Sequence, residues 1–450
     1  MSPSKIAVVG GGFGGLTAAR ALVAAGHDVT VLEAGPRAGG VVGTSKSDGF
    51  VREHAASSFL GGPPHGALAL CNELGLATEK ALPAAKRRYI YIDGKLRLLP
   101  SDPMSFVRSD LLTWRGKLDL LREPFVTAHR PLGDDESMYA FAARRLGPQA
   151  ARAIVAPFVT GVFAADAHEV SLEAGFPRIA ALAAEGGLLR GMIKQQVRAL
   201  IAKRRGTGEA RTASGMHAPV GGLGAMIDAL MRELGSRVEL ASPVKTIEPV
   251  QGGVLVERER YDGCVLAIPA TDAATIVAAM PELTTKLAAF ERAPVALVYL
   301  GVAEAAVPPA RDGFGFLVAQ GEDLRVLGVV FESTVWPERA PHGHVLLRCI
   351  FGGARDPSAT MLDDAALIAK AKEDVARAFG VPAIEPIHAS VVRWAKGLPK
   401  YPVGHRDRVR EASAVARTHR VVLAGADYRG PAINDLAADA ATVVAEVAAW

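Results

Sequence analysis

The feature that most constrains the fold lies near the amino end, where a short apolar strand runs directly into a cluster of glycines. Residues 6–9 are β-prone and enter Gly10-Gly11-Gly12-Phe13-Gly14-Gly15. An Ala-rich stretch, residues 16–25, has the character of a helix, and a second apolar run at residues 29–32 is followed by Glu33. This order of strand, glycine turn, helix, strand and acid predicts a parallel β-α-β unit that binds a dinucleotide.

Each glycine of the turn has its own physical role. Gly10 permits the tight turn, Gly12 lets a pyrophosphate approach the backbone, and Gly15 lets the helix pack closely on the strand. The start of the helix offers N–H donors and the positive end of its dipole to the phosphates. Glu33 follows Gly15 by 18 residues, near the spacing of about 20 at which an acid accepts the ribose hydroxyls. The motif alone does not distinguish NAD from FAD.

The composition excludes several classes of protein. The 450 residues are 50% hydrophobic and 22% charged, a balance unlike that of disordered, collagen-like or coiled-coil chains. The 51 basic and 47 acidic residues give a net charge of +4 and are mixed along the chain, so no nucleic-acid partner is expected. No apolar run reaches the roughly 18 residues of a membrane span, and the early strand leaves no room for a signal peptide. We therefore expect a cytoplasmic protein.

The polar residues do not suggest a metal centre or a nucleophilic triad. The three cysteines are odd in number, far apart and without zinc spacing, which favours a reducing compartment over a disulfide framework; they are Cys71, Cys264 and Cys349. His342, His344 and His405 are interpreted as surface or turn residues. We expect no bound metal.

The middle of the chain changes character after about residue 85. Residues 86–99 predict a β-hairpin, because Asp93-Gly94 is a strong two-residue turn signal. Residues 105–202 are mainly helical and are divided into several helices by prolines. Residues 192–211 carry six basic side chains against one acid. That pattern fits either a helix on an anionic membrane or a solvated helix that leads into a linker.

The nucleotide-binding pattern returns towards the carboxyl end. Glycines and strand-like runs reappear from residue 220, and a buried-type strand at residues 421–424 precedes a helix that starts near residue 434. A nucleotide-binding domain assembled from both ends of the chain explains this pattern. The domains are therefore expected to be discontinuous.

The residues directly after the second strand favour FAD. Glu33, Arg37, Gly39 and Gly40 form the pattern Glu-x-x-x-Arg-x-Gly-Gly. This pattern resembles the extension found in the flavin amine oxidase superfamily, in which the backbone runs along the pyrophosphate and the flavin of FAD. The resemblance implies FAD as the cofactor.

Four further stretches resemble the oxygen-dependent protoporphyrinogen oxidase family of the same superfamily, and its bacterial members most. They are residues 84–91; residues 160–166 with Ser171; residues 312–318, continued by 327–333 and 351–355; and residues 393–394, 399–401, 404–405 and 425–435. The likeness spans nearly the whole chain, and the third stretch is quite specific.

The resemblance implies an α/β (α+β) fold. A Rossmann-like FAD-binding domain of the flavin amine oxidase type is combined with a mixed-sheet substrate domain and an inserted, mainly helical domain. The expected boundaries are 1–85, 218–290 and 402–450 for the FAD-binding domain, 86–102, 193–217 and 291–401 for the substrate domain, and 103–192 for the helical domain. The helical domain is the part expected to touch a membrane, peripherally and at its inner face.

The implied reaction is oxidation of protoporphyrinogen IX to protoporphyrin IX in haem biosynthesis. Six electrons leave the macrocycle in three successive reductions of FAD. After each reduction, O₂ reoxidises the flavin and hydrogen peroxide is formed. No side chain is expected to be catalytic, because flavin N5 carries the chemistry. The protein has to hold the substrate and to exclude water.

The resemblance also implies the substrate residues. Arg88 matches an arginine that binds a propionate, to which a guanidinium can pair in a two-pronged geometry. Gly161 matches a glycine that lets the backbone approach the macrocycle. Apolar walls on either side of the ring system are implied for Phe314, Leu317, Val330 and Ile350.

A larger set of residues is implied for FAD. The set comprises Gly10, Gly12, Phe13, Gly14, Gly15, Glu33, Ala34, Arg37, Gly39, Gly40, Val41, Ala55, Ala56, Ser57, Ser58, Val244, Ala267, Trp394, Pro431, Ala432 and Ile433. The last three begin the final helix and would aim N–H groups at the pyrimidine end of the flavin.

Some residues depart from the family pattern. Ala55 and Ala56 stand where Gly-Pro is usual, Ala165 replaces a glycine, and Pro431 replaces a valine and removes one N–H donor. Three alternatives therefore stay open: a coproporphyrinogen III oxidase, an amine oxidase or carotenoid desaturase, and a non-catalytic FAD- or porphyrin-binding paralogue. A porphyrinogen and O₂ are the expected partners, and a homodimer is left open.

Overall fold

The computed structural model describes residues 3–62, 65–126, 134–188, 190–191, 194, 197, 215–308 and 312–450. Within these residues, twenty strands form five sheets. In chain order the strands are β1 Lys5–Val9, β2 Asp28–Leu32, β3 Thr44–Ser47, β4 Phe50–Glu53, β5 Phe59–Leu60, β6 Thr78–Lys80, β7 Arg88–Ile92, β8 Lys95–Leu98, β9 Met216–Pro219, β10 Val238–Glu239, β11 Ile247–Val250, β12 Gly253–Val256, β13 Glu259–Tyr261, β14 Gly263–Leu266, β15 Arg292–Ala303, β16 Gly315–Val318, β17 Gly328–Phe331, β18 His344–Gly352, β19 His388–Pro399 and β20 Val421–Leu423.

The first sheet is parallel and has the order β10-β2-β1-β14-β20. The predicted β-α-β unit is confirmed, because β1 pairs in parallel with β2 and the helix Phe13–Ala24 lies between them in the chain. The strands of this sheet come from the beginning, the middle and the end of the chain. The predicted return of nucleotide-domain strands after residue 220 is therefore confirmed at the level of strand pairing.

Both faces of the parallel sheet are covered by helices. On β1, Ile6 and Val8 point to one face and Ala7 and Val9 to the other, as the alternation of a strand requires. The first face packs on helices Phe13–Ala24, Gly224–Leu234 and Ile433–Val447, and the second on helices Ala270–Ile276, Pro281–Ala288 and His405–Thr418. Each fully buried Ile or Leu contributes about 1.5–3 kcal/mol to folding.

The second large sheet is mixed, with the order β19-β15-β18-β17-β16-β7-β8. Only the β7–β16 pairing within this sheet is parallel. The hairpin β7–β8 confirms the Asp93-Gly94 prediction, since both turn residues have positive φ values, of 52° and 72°. One face of the sheet packs on the helix Asp364–Phe379. The opposite face carries the candidate substrate residues.

Helices dominate residues 103–184, as predicted. They are Pro103–Arg108, Trp114–Leu121, Met138–Leu146, Pro148–Ala150, the π-helix Ala151–Val155, Ala156–Phe163, Leu172–Gly175 and Pro177–Ala184. Outside this part of the chain, shorter helices are Ala67–Glu73, Glu332–Val335 and Ala426–Arg429. Most of the basic stretch 192–211 lies outside the described residues.

The domain boundaries stay a prediction. The strand β9 crosses the expected boundary between residues 217 and 218, since it pairs with β5 and β6 of the amino-terminal segment. Among the described residues, no helix is both long enough and apolar enough to span a bilayer.

His405 is not a surface residue, and the sequence interpretation of it was wrong. It is 3% exposed at the start of the helix His405–Thr418. Its ring stacks on Tyr401 with 4.1 Å between ring centroids and meets Phe290 edge-on at 5.6 Å. Burial among these apolar rings lowers the pKa of His405 from 6.5 to about 4. The sequence interpretation failed because a histidine that follows Pro-Val-Gly has the same local pattern in an exposed turn.

The buried imidazole makes the stability of the fold depend on pH. Between pH 6.5 and about 4, an unfolded His405 binds a proton and the folded one does not, so stability falls as the pH falls through this window. The loss for this one group is expected to reach about 3 kcal/mol. His405→Phe should show a smaller loss of unfolding free energy between pH 7 and pH 4.5, measured by urea denaturation. The exposed His342 provides the control through His342→Phe, and equal pH dependence in the two variants would contradict the prediction.

Candidate active site

The glycine turn after β1 leaves an open cradle. Gly10 has φ +106°, and its N–H donates to the carbonyl of Leu32 at 2.9 Å. A Cβ on Gly15 would lie 2.0 Å from the Gly10 carbonyl oxygen, so this position needs glycine for packing alone. A Cβ on Gly12 would meet no protein atom nearer than 3.9 Å, the Cα of Gly40. The free space over Gly12 therefore fits a ligand that approaches the backbone.

Glu33 and Arg37 shape the loop beside this cradle. The Glu33 carboxylate accepts from the N–H groups of Gly11 at 2.7 Å and Gly35 at 2.8 Å. The Arg37 guanidinium donates to carbonyls of the following residues, at 2.8 Å to Gly40 and at 3.2–3.3 Å to Ala38 and Val42. Glu33 thus lies beside the glycine turn, where a ribose acceptor is expected, whereas Arg37 holds the loop in shape.

Two further predicted cofactor segments, Ala267 and the start of the last helix, approach the same turn. Ala267 follows β14 and its Cβ would lie 3.1 Å from a Cβ on Gly15. The helix that begins at Ile433 approaches the turn, because a Cβ on Gly14 would touch Leu436 at 3.6 Å. Pro431 and Ala432 directly precede this helix. Ala34 and Val41 lie in the loop after β2, and Val244 is partly buried against the core cluster on the other face of the parallel sheet.

The segment 55–58 lies between the two large sheets. Trp394 of β19 donates its indole N–H to the carbonyl of His54 at 2.7 Å. Arg348 of β18 donates to the carbonyl of Ala55 at 2.7 Å. The structure therefore brings Trp394 next to the segment that holds Ala55, Ala56, Ser57 and Ser58.

Four of the six predicted substrate residues share one face of the mixed sheet, namely Arg88, Leu317, Val330 and Ile350. Strand register places Arg88, Gly315, Val330 and Arg348 in one row across β7, β16, β17 and β18. The next row on the same face contains Ile90, Leu317, Gly328 and Ile350. A Cβ on Gly161 would lie 2.4 Å from Leu317 Cδ2, which places the helix Ala156–Phe163 against this face. Phe314 lies under Arg88, with the guanidinium 5.2 Å from the ring centroid.

Arg88 differs from its neighbour Arg87 in its partners. Arg87 forms an ion pair with Asp312. Arg88 has no carboxylate or carbonyl partner among the described residues, and partial desolvation lowers its pKa. Its guanidinium is therefore free to bind an incoming anion.

Sequence reasoning missed a buried ionic cluster next to this face. Glu53, Glu332, Arg339 and Arg348 are all nearly inaccessible to solvent. Their ion pairs are Arg339–Glu53 at 3.2 Å, Arg348–Glu332 at 3.0 Å and a short Arg339–Glu332 contact. The one available signal was Arg348 itself, a charge within the apolar run of residues 345–351.

Among the described residues, no cluster of potential ligands suits a metal ion. The three cysteines are buried thiols, and burial raises the pKa of Cys71 to about 11 and of Cys264 to about 12.

A parallel dinucleotide-type sheet joined to a mixed sheet with an apolar, arginine-edged face defines a flavoprotein oxidoreductase. A family model for flavin containing amine oxidoreductases matches residues 13–446, and the chain belongs to this family. The family membership confirms the predicted fold class and FAD-dependent oxidoreductase activity. The open cradle at Gly12 and the placement of Glu33 fit FAD as the cofactor.

Curated relatives match the chain over most of its length. Coproporphyrinogen III oxidase of Mycobacterium leprae is 32% identical over 428 residues, which are 92% of this chain and 92% of the relative. The chloroplastic protoporphyrinogen oxidase of Nicotiana tabacum is 28% identical over 90% of this chain and 78% of the relative. A crystal structure from Exiguobacterium sp. 255-15, assigned as a protoporphyrinogen oxidase, superposes with a TM-score of 0.82 at 24% identity and 99% coverage of both chains. The predicted resemblance is therefore confirmed.

Proposed function

We propose that the protein oxidises a porphyrinogen to a porphyrin in haem biosynthesis, with O₂ as the electron acceptor and hydrogen peroxide as the by-product. The observation that carries this proposal is the free guanidinium of Arg88 at the edge of an apolar face. A porphyrinogen has the matching chemistry, because it is a wide apolar macrocycle whose propionates are its only strong charges. The named relatives act on porphyrinogens and support the same substrate class.

Five of the six predicted substrate residues have a physical task in this function. Arg88 binds a propionate, to which its guanidinium can pair in a two-pronged geometry. Leu317, Val330 and Ile350 present apolar surface to the macrocycle and exclude water. Gly161 leaves the helix close to Leu317 without a side chain between them. Bound FAD supplies the two-electron redox chemistry that side chains lack.

We propose protoporphyrinogen IX as the preferred substrate. Two further propionates on coproporphyrinogen III would call for additional basic residues that face the macrocycle. Arg87 pairs with Asp312, and Arg97 pairs with Asp93 and Asp110, both at 2.9 Å. Neither arginine offers a free guanidinium to this face.

Coproporphyrinogen III oxidation is the second candidate. The Mycobacterium leprae relative, at 32% identity over 92% of both chains, has this activity in its name. The two substrates differ in charge, so the chain's own preference has to be measured with both.

The proposal is tested by anaerobic reduction of the purified yellow protein. Protoporphyrinogen IX is expected to bleach the flavin absorbance, coproporphyrinogen III to bleach it more slowly, and air to restore it. Faster bleaching by coproporphyrinogen III would select the second candidate. Bleaching by putrescine alone would indicate an amine oxidase, and a flavin that none of these compounds reduces would indicate a binding protein.

We also propose a peripheral membrane contact on the helical part of the chain. Large apolar side chains are exposed there on adjacent elements, namely Met104, Val107, Trp114, Leu118, Leu121 and Phe125. Exposed arginines flank them at positions 108, 115 and 122. Apolar side chains bordered by basic ones suit an anionic bilayer surface.

Two of these side chains provide a test. Trp114 is 68% exposed and Phe125 is 76% exposed, and each apolar side chain that enters a bilayer contributes about 1.5–3 kcal/mol. The double change Trp114→Asp and Phe125→Asp should weaken co-sedimentation with phosphatidylglycerol vesicles by about tenfold or more. Met361, 84% exposed and outside the helical part, provides the control through Met361→Asp. Equal binding by all three proteins would refute the contact.

A further inference from the structure

Four of the five carbonyl groups of residues 53–57 accept hydrogen bonds from side chains of the mixed sheet and of the 3-10 turn Pro337–Arg339. The donors are Tyr299 to Glu53, Trp394 to His54 at 2.7 Å, Arg348 to Ala55 at 2.7 Å and Arg339 to Ser57 at 2.7 Å. They come from β15, β19, β18 and the turn Pro337–Arg339. Four separate elements thus fix one short stretch of backbone.

The N–H groups at the end of the same segment, unlike its carbonyl groups, lack hydrogen-bond partners in the described part of the protein. Those of Ala55, Ala56, Ser57 and Ser58 have no acceptor among the described residues. Buried or half-buried backbone donors are normally paired. A run of free N–H donors on a segment where four carbonyls are already bound by side chains is suited to a ligand rich in hydrogen-bond acceptors.

The two arginines are themselves held by buried carboxylates. Glu332 is 1% exposed and pairs with both Arg348 and Arg339. Although burial acts to raise the pKa of Glu332, the charges of Arg348 and Arg339 hold it below its usual value. Arg348 also donates to the Ser57 hydroxyl at 3.2 Å. The arginines therefore keep one geometry, because each makes several charge-assisted hydrogen bonds.

Arg348 also touches the candidate substrate face. It lies directly across from Val330 in the β17–β18 register. One side chain is therefore shared between the strand pair that carries Val330 and the segment predicted to border the flavin. Removing either an arginine or a glutamate of the ionic cluster would leave an uncompensated buried charge on its partner.

We propose that Glu332, Arg339 and Arg348 form a positioning clamp that sets the conformation of residues 54–58 against the flavin and thereby tunes its reduction potential. The proposal rests on FAD binding and does not depend on which porphyrinogen is oxidised. None of the three is a catalytic residue, since they act through the backbone of the segment. The donors freed by this geometry, at Ala55 to Ser58, are those that would meet acceptor atoms of the cofactor.

The test uses three variants of the full chain without any porphyrinogen. Arg348→Met removes one positive charge and the hydrogen bonds to Ala55 and Ser57. It should weaken FAD binding about tenfold or more, shift the flavin absorbance and lower the reduction potential. Glu332→Gln keeps the shape but removes a negative charge. Glu332→Gln should therefore raise the reduction potential of the flavin, whereas Arg348→Met lowers it. Simple destabilisation of the fold would not shift the potential in opposite directions in the two variants.

Arg355→Met is the matched control. Arg355 also donates to three backbone carbonyls, those of Val318, Glu322 and Leu324, at 3.1–3.3 Å. This variant should lose stability but keep the FAD affinity and potential of the unmodified protein. If Arg348→Met behaves like Arg355→Met, or if Glu332→Gln leaves the potential unchanged, the clamp is refuted.

The outcomes for the clamp and for the proposed function can be separated. A protein that binds FAD and shows the opposite potential shifts, yet oxidises no porphyrinogen, retains the clamp and loses the function. If Arg348→Met does not fold, the potential of Glu332→Gln decides the question alone. A chain that binds no FAD overturns both proposals.

Discussion

Gly12→Ala is expected to weaken FAD binding by about 100-fold while the protein without cofactor keeps its stability. The added Cβ meets no protein atom within 3.9 Å, so the polypeptide accommodates it. The same Cβ fills the space through which a pyrophosphate approaches the backbone. Overpacking of this kind costs about 1–3 kcal/mol or more, so FAD affinity should fall by about 100-fold. Fluorescence titration of FAD and thermal unfolding of the cofactor-free protein measure the two effects.

Gly14 provides the control for Gly12, because it lies in the same turn but faces the protein. At Gly14 the added Cβ would face the protein, with Leu436 and Gly425 both at an ordinary 3.6 Å. Gly14→Ala should therefore cost much less FAD affinity than Gly12→Ala. Similar losses in the two variants would show that the helix start as a whole tolerates no side chain, and the cradle at Gly12 would lose its special role.

Arg88→Ala is expected to lower kcat/KM for protoporphyrinogen by roughly 10- to 100-fold, with the flavin spectrum unchanged. A hydrogen bond to a charged group contributes about 1.5–3 kcal/mol, which corresponds to that range. Arg88→Lys should recover only part of the loss, because an ammonium group lacks the two-pronged geometry of a guanidinium. The measurement is the steady-state rate at which porphyrin fluorescence increases.

Arg87 is the natural control for Arg88. It is the adjacent residue and has the same chemistry, but it pairs with Asp312. Arg87→Ala should change kcat/KM by less than about twofold, because exposed ion pairs contribute little. If Arg87→Ala proves as damaging as Arg88→Ala, the propionate is bound by the local positive charge and not by one residue.

Local patterns allowed the opening unit to be predicted. The β1–β2 pairing and the Asp93-Gly94 hairpin both follow from residues that are close together in the chain. Such elements depend on turn chemistry and on β-branched runs, which the sequence displays directly.

Contacts over long sequence distances could not be predicted in this way. Arg348 meets Ala55 across 293 residues, and Arg339 meets Glu53 across 286. The local sequence around Glu332 does not predict that this residue is buried between two arginines. His405 shows the same limit, because its burial depends on Phe290 and Tyr401 approaching from other elements. The family resemblance supplied the candidate substrate residues, but not the ionic cluster behind them.

The discontinuous parallel sheet has a consequence for how this polypeptide matures. β20 at residues 421–423 completes the edge next to β14, and the helix that begins at Ile433 closes against the glycine turn. Residues after 420 are therefore needed to complete the parallel sheet and the packing around the glycine turn. Partners so distant in sequence slow the search for the native topology. A chain that ends before residue 421 would leave β14 as an open sheet edge and the glycine turn without its last helix.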